Sequence, residues 1–157
     1  MSLPSRAQLV QAALREFGIE REILVFDEPH TTAKSAAAAL GIEVGAIANS
    51  LVFQMAGAPL LIMTSGGHRV DTDALAAQLS EGPITRANPK QVREATGQVI
   101  GGVAPLGHPV PIRTIVDVAL RDYEEIAAAA GAAETMFMLT YAELLTVTGG
   151  EEREVGA

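Results

Sequence analysis

The chain has 157 residues, inside the ~100–200 residues typical of one domain, and its balance of 48% hydrophobic to 19% charged residues is globular, not disordered. It has no cysteine, which removes disulfides and thiolate metal sites and fits a reducing cytosol. The formal charge of −8, from 11 basic and 19 acidic side chains, argues against a duplex-DNA grip built on counterion release, but leaves room for a small pocket that takes only the end of a nucleic acid. The first six residues, Met1 to Arg6, lack the apolar core of a targeting segment, and no apolar run is long enough to span a bilayer. A soluble cytoplasmic protein with no membrane partner is expected.

In chain order, Ser5 and Gln8 read as a capping box, followed by an apolar stripe of Leu9, Val10, Ala13, Leu14 and Phe17 with Gly18 as the left-handed stop. Ile23 to Phe26 is a short apolar run of the strand type. Thr31 or Thr32 caps a second helix that runs to Leu40 and stops at Gly41. Ala46 to Met55 and Leu60 to Thr64 flank Ala56-Gly57-Ala58-Pro59, predicting a hairpin, and Ser65 to Gly67 is a turn. Asp71 caps a helix to Leu79, Ile84 to Ala87 is strand-like, and Asn88 with Pro89 opens a helix that ends at Gly97. Val99 to Gly107 is too rich in glycine and proline to be a helix or a central strand.

Ile112 to Val116 is a strand ending at Asp117. Thr140 and Glu143 form a capping box for a last helix, which Gly149 and Gly150 end. Between them, the alanines of Glu125 to Ala133 favour helix, although Gly131 lies inside the segment. No repeat, linker or composition break divides the chain, so residues 1–150 form one domain and the Glu-rich residues 151–157 are expected as a flexible acidic tail.

Few residues stand out for chemistry. His30, His68 and His108 have no partners at metal-ligand spacing and read as surface or loop histidines, so neither a metal site nor a cofactor is expected. There is no Gly-x-Ser-x-Gly elbow and no Walker lysine, and Asp71 and Asp73 are more simply helix-start residues. A Ser-His-Asp site could be assembled from distant positions, but the sequence singles none out. The informative stretch is Gly101-Gly102-Val103-Ala104-Pro105-Leu106-Gly107, a loop whose backbone N–H groups could face a ligand. Taken alone, an ordinary connecting loop is the simpler reading.

Several segments together resemble one family. Ala46 to Phe53 (Ala-Ile-Ala-Asn-Ser-Leu-Val-Phe), then Gly101 to Gly107, then Ile115 to Asp117, then Ala129 to Gly131 follow the order and spacing of the YbaK-type aminoacyl-tRNA deacylases. That family also takes in the ProX-type proteins and the editing domain inserted in bacterial prolyl-tRNA synthetases. The resemblance runs from the first helix to about Val147. It implies an α/β fold with a mixed, curved, partly barrel-like sheet flanked by helices, and a strand over Glu125 to Ala129 where alanine propensity says helix.

It also implies a trans-editing hydrolase that cleaves the 3′-terminal ester of a mischarged aminoacyl-tRNA by substrate- or water-assisted attack. The acceptor end of tRNA would be the partner, together with an aminoacyl-tRNA synthetase. Carried over by position, Asn49, Gly101 and Asp117 fall at catalytic places. Ser50, Gly102, Ala104, Pro105, Gly107, His108 and Gly131 fall at substrate-binding places, and Arg69 is a weaker match for a phosphate contact. One position departs from the pattern: Asn49 stands where the family has lysine, so a neutral amide replaces a full charge. The alternative expectation is therefore a non-catalytic module of the same fold that binds aminoacyl-tRNA or a synthetase. An unrelated small-molecule hydrolase has only the glycine loop in its favour.

Overall fold

The computed structural model describes residues 3–30 and 32–157. Among the described residues five α-helices are formed: α1 (Ser5–Glu16), α2 (Ala33–Leu40), α3 (Thr72–Leu79), α4 (Pro89–Thr96) and α5 (Tyr141–Thr148). Eight strands accompany them: β1 (Ile23–Val25), β2 (Ala48–Met55), β3 (Ala58–Ser65), β4 (Ile84–Arg86), β5 (Arg113–Asp117), β6 (Ile126–Ala129), β7 (Thr135–Leu139) and β8 (Glu151–Arg153). They make two sheets, one of five strands in the order β4-β2-β3-β5-β8 and one of three in the order β1-β7-β6. A single parallel bridge, Ile47 to Ala127, joins the sheets. The architecture is the expected mixed α/β domain, and the sheet does not close into a barrel.

The hairpin β2–β3 organises the larger sheet. Its turn is the two residues Ala56 and Gly57, both at positive φ (53° and 78°), the conformation whose twist matches a tight hairpin. Pro59 is tolerated within β3 because it faces Gln54 at a position that makes no ladder bond to β2, one residue before β5 joins at Leu60. Leu60, Leu61, Ile62 and Met63 are all fully buried because β3 is covered on both faces.

On one face lies the main core, where Val52, Leu61, Met63 and Val116 meet Ile126, Ala128, Phe137 and Leu139 of the smaller sheet, Val10 and Leu14 of α1, and Leu144 of α5. On the other, Phe53, Leu60, Ile62 and Ile115 pack with Leu75 of α3. A third cluster sets Ala36 and Ala37 of α2 against Ile47, Ala127 and Met136, so the small side chains of α2 let it lie close over the joint between the sheets.

Helix boundaries follow the capping chemistry with one exception. Thr32, Asp71, Asn88 and Thr140 each accept a backbone N–H at the third residue beyond, and Asn88/Gln91 and Thr140/Glu143 are reciprocal capping boxes. Thr31, the other candidate cap, lies outside the described residues. Ser5 is not a cap. Pro4 occupies that place, its carbonyl accepting the Gln8 N–H at 3.0 Å, so Ser5 is already helical and the Gln8 side chain instead donates to the Leu3 carbonyl at 2.7 Å. The buried stripe of α1 is narrower than expected: Ala7, Val10 and Leu14 are buried, whereas Leu9 and Phe17 are 64% and 49% exposed.

Two further points concern strands. Ile126–Ala129 is strand β6, as the resemblance implies, because pairing with β7 and burial in the core override the helix preference of its alanines. Residues 151–157, expected as a loose acidic tail, are instead placed against the sheet. Strand β8 pairs with β5 in parallel, Glu151 meets Arg113, the Tyr141 hydroxyl donates to Glu152 at 2.8 Å, and Val155 is buried.

Candidate functional site

Beyond the Ile47–Ala127 bridge, β2 and β6 form no further ladder pair, and a cavity opens where they part. Its volume is about 290 Å³. One wall is β2 from Ala48 to Val52, and the other is Ala129, Thr135 and Met136 of the smaller sheet. Thr32, Ala33 and Ala36 at the start of α2 close one end, and Arg86, Ala87 and Val92 the other. Ile100, Gly101 and Val103 come over it from the glycine loop. Small side chains, alanines above all, make up much of this lining, with Thr32, Asn49, Ser50 and Thr135 as uncharged polar members. Only His30 and Arg86 among the lining residues can carry charge, so no carboxylate faces the cavity of a protein whose formal charge is −8.

Three of the residues singled out from the sequence meet here: Asn49, Ser50 and Gly101. The alternation of a strand sends the first two to opposite faces. Ser50 lies with Ala48 and Val52 on the core face, its hydroxyl donating to Met63 Sδ at 3.2 Å, while Asn49 is exposed. Gly101 has φ +89° in a turn closed by the Gly102 N–H on the Val99 carbonyl at 2.9 Å, and no atom lies within 4 Å of where a side-chain carbon would stand. A left-handed residue at the third place of such a turn is the position that favours glycine.

Apart from Val103, the rest of the glycine loop supports this turn from behind and does not line the cavity. Gly102 lies against the backbone of Ala132 and Ala133. Ala104, Pro105 and Leu106 are buried. The buried Gln98 side chain holds the loop, accepting the Ala104 N–H at 2.8 Å and donating to the Leu106 carbonyl at 3.3 Å. His108 donates from Nε2 to the Ala104 carbonyl at 2.8 Å, and burial pushes its pKa below the ordinary histidine value, only partly offset by that hydrogen bond. Gly107 sits over Val10 of α1. Gly131, at φ +101°, approaches the backbone of Arg6 and not the cavity.

Asp117 is also displaced from the place that the resemblance implies. It is 1% exposed and absent from the cavity wall. Its carboxylate accepts the Ser65 N–H and the Ala119 N–H, both at 3.0 Å, the Thr64 hydroxyl at 3.4 Å and Nδ1–H of His68 at 2.9 Å. With both oxygens engaged, three donors on Oδ2 and one on Oδ1, it serves as a clamp on the chain leaving β3. The Ser65 hydroxyl donates to the Gly45 carbonyl at 2.7 Å, so these three residues do not form a nucleophilic triad. Arg69 is exposed, its backbone tied to the Ala157 carbonyl, and does not line the cavity.

Sequence reasoning missed Thr32, Arg86, Thr135 and Met136, and left His30 as a surface residue. Arg86 stands opposite Phe53 in the β2–β4 register, with its guanidinium 5.4 Å from the ring centroid. His30 meets Phe26 edge to face at 4.8 Å. Neither pairing has a sequence signature, since each joins residues through a fold-dependent approach. Among the described residues no three His, Asp or Glu side chains are grouped to hold a metal ion, and no helix is long and apolar enough to cross a membrane.

Together the fold and the cavity define a small α/β domain with a cleft between two splayed strands, under a glycine turn. The chain belongs to the aminoacyl-tRNA editing domain family, whose model matches residues 27–147. Among its relatives, YwhH of Bacillus subtilis (strain 168) is 27% identical over 144 residues, 92% of this chain and 89% of that one. A candidate Cys-tRNA(Pro)/Cys-tRNA(Cys) deacylase, EbsC of Enterococcus faecalis (strain ATCC 700802 / V583), is 27% identical over 131 residues, 83% of this chain and 80% of that one. The crystal structure of a candidate trans-editing enzyme for prolyl-tRNA synthetase superposes with a TM-score of 0.93 at 38% identity, covering 99% of both chains.

Proposed function

We propose that the chain is an aminoacyl-tRNA deacylase acting in trans, which hydrolyses the ester between a wrongly attached amino acid and the terminal ribose of tRNA. The observation that carries the reading is a cavity of about 290 Å³ walled mostly by small side chains, only His30 and Arg86 able to carry charge, and the Gly101 turn above it. An aminoacyl ester needs a pocket for a small side chain, donors for the developing oxyanion and no repelling carboxylate beside the terminal phosphate. Single-stranded ends are read by compact pockets that contact the 2′-hydroxyl, which suits a protein without a broad basic face.

Ser50 and His30 both line the cavity, but the Ser50 hydroxyl donates to Met63 Sδ and no hydrogen bond among the described residues joins the two, so the attacking oxygen comes from water or from the substrate itself, with the protein supplying position and charge stabilisation. Removing one donor aimed at an oxyanion typically costs about 10²–10³ in rate, so backbone N–H groups can account for a large part of the acceleration. Discrimination by binding alone reaches only ~10–200-fold for small side chains, which is the reason for a separate hydrolytic sieve. A synthetase partner that delivers or retains the tRNA is part of this reading, and the named relatives support it.

Asn49 favours a second reading, a module that binds aminoacyl-tRNA without turnover. Charge-assisted hydrogen bonds are about twice as strong as neutral ones, so an amide in the family lysine's place weakens any contact with a phosphate or oxyanion. Deacylation of a panel of mischarged tRNAs, with tRNA affinity measured in parallel, separates the two. Enzyme-dependent release of at least one amino acid supports the deacylase, and tight binding with background release supports the module.

A further inference from the structure

The geometry points to the substrate amino acid being read by the main chain of Ser50, as if it were one residue of a strand missing between β2 and β6. This rests on the assignment of the cavity to an aminoacyl ester. Along β2 the carbonyls alternate in direction, and two hydrogen bonds fix the phase. The Ile47 carbonyl accepts the Gly66 N–H at 2.7 Å on the β3 side, whereas the Val52 carbonyl accepts the Ala87 N–H at 3.1 Å on the opposite side. The backbone groups of Asn49 and Leu51 therefore point to β3, and those of Ser50 point away from it.

On that outer side the ladder gives Ser50 no strand partner among the described residues. Strand β4 pairs only with Phe53 to Met55, and β6 meets β2 only at Ile47. Across the cavity the same argument applies to Ala129. The Ala130 N–H donates to the Thr135 carbonyl at 3.3 Å, so the backbone groups of Ala129 point away from β7. Both residues line the cavity.

An α-aminoacyl ester carries an ammonium donor and a carbonyl acceptor on either side of one Cα, the spacing of a strand residue. In a hydrogen-bonded antiparallel pair, facing residues exchange both N–H···O=C bonds across about 5.5 Å between Cα atoms. Ser50 would donate its N–H to the ester carbonyl oxygen and accept from the ammonium at its own carbonyl. Ser50 is thus a positioning residue that acts through its backbone. Recognition of the α-amino acid is separated in this way from selection of its side chain, which falls to the apolar walls. An acetylated amino group loses the charge and the room that this pairing needs.

Backbone amide exchange followed by NMR tests this, with and without an aminoacyl-adenosine analogue in which an amide replaces the ester. In the free protein the Ser50 amide should exchange faster than those of Asn49 and Leu51, the analogue should slow it, and the N-acetylated analogue should bind at least ~10-fold more weakly. Ser50→Pro, which removes an N–H not used by the β3 ladder, should unfold cooperatively like the wild type yet hydrolyse about 100-fold more slowly. Should that variant not fold, the exchange data decide alone. A Ser50 amide as protected as that of Leu51 in the free protein, or one unchanged by bound analogue, overturns the inference while leaving the functional reading intact. Failure of the analogue to bind at all, with wild-type protein inactive on mischarged tRNA, overturns both.

Discussion

Gly102 rests directly on Ala132: a side-chain carbon at Gly102 would lie 2.6 Å from the Ala132 carbonyl carbon and 2.8 Å from the Ala133 nitrogen. Gly101, its neighbour, faces open space but holds φ +89°. The two glycines are therefore required for different reasons. Gly102→Ala forces two backbone segments apart and should cost about 1–3 kcal/mol, lowering the melting temperature by roughly 2–12 °C at this chain length. Gly101→Ala pays only the left-handed conformation, about 1 kcal/mol, yet distorts the turn over the cavity, so deacylation should fall more than stability. Thermal melts and rates on both variants check this. A fully active Gly101→Ala protein would mean that the loop is only a connection.

Asp117 gives the opposite contrast. Because its carboxylate is buried and accepts hydrogen bonds from Ser65, Ala119, Thr64 and His68, Asp117→Ala leaves several donors without a partner. The expected loss is about 2–4 kcal/mol, seen as a lower denaturant midpoint. Well below the melting temperature the surviving folded fraction should still bind and turn over substrate. A variant with unchanged stability and no activity would return Asp117 to the catalytic place that the family resemblance implies.

His108 sets a pH dependence whose sign is fixed. Burial holds its folded pKa below the ordinary value of 6.5, so above that pH it is neutral in both states and its contribution is fully present. As pH falls below about 6.5, the unfolded chain takes up a proton that the folded chain resists, and stability declines until pH passes the lower folded value. Urea unfolding from pH 8 to 5 should show this decline in the wild type and a flatter profile in His108→Gln, whose amide can still donate to the Ala104 carbonyl. Glu143 acts at lower pH. Burial pushes its carboxyl up, but the Thr140 N–H and Arg21 outweigh that and hold it below the usual range, so its contribution fades only under more acid conditions.

Much of the fold was legible because it rests on local chemistry. Thr32, Asp71, Asn88 and Thr140 cap helices through their own side chains, and the Ala56-Gly57 turn sits between two apolar runs. What local chemistry does not show depends on distant partners. Residues 126–129, helical by propensity and a strand by the family resemblance, become a strand because β7 lies alongside, and Glu151–Arg153, which escaped the sequence reading, because β5 offers an edge and Arg113 an ion pair. The site divided along the same line. Asn49, Ser50 and Gly101 lie in motif-bearing segments and meet at the cavity, whereas Arg86 and His30 reach it through packing on Phe53 and Phe26. The family pattern could not tell residues that touch the cavity from those, such as Gly131 and Gly107, that hold α1 against the loop.

The central claim is hydrolysis, and Asn49 is where it is most exposed to test. Release of amino acid from a panel of mischarged tRNAs should be measured for the wild type and for Asn49→Lys, at equal and saturating protein. The wild type should release at least one amino acid well above the uncatalysed rate. Lysine, by placing a cation at the cavity beside the 3′ end, should raise that rate about tenfold, equivalent to about 1.4 kcal/mol off the barrier. Background release by both proteins across the whole panel, with tRNA still bound, would contradict the deacylase and leave a binding module in its place.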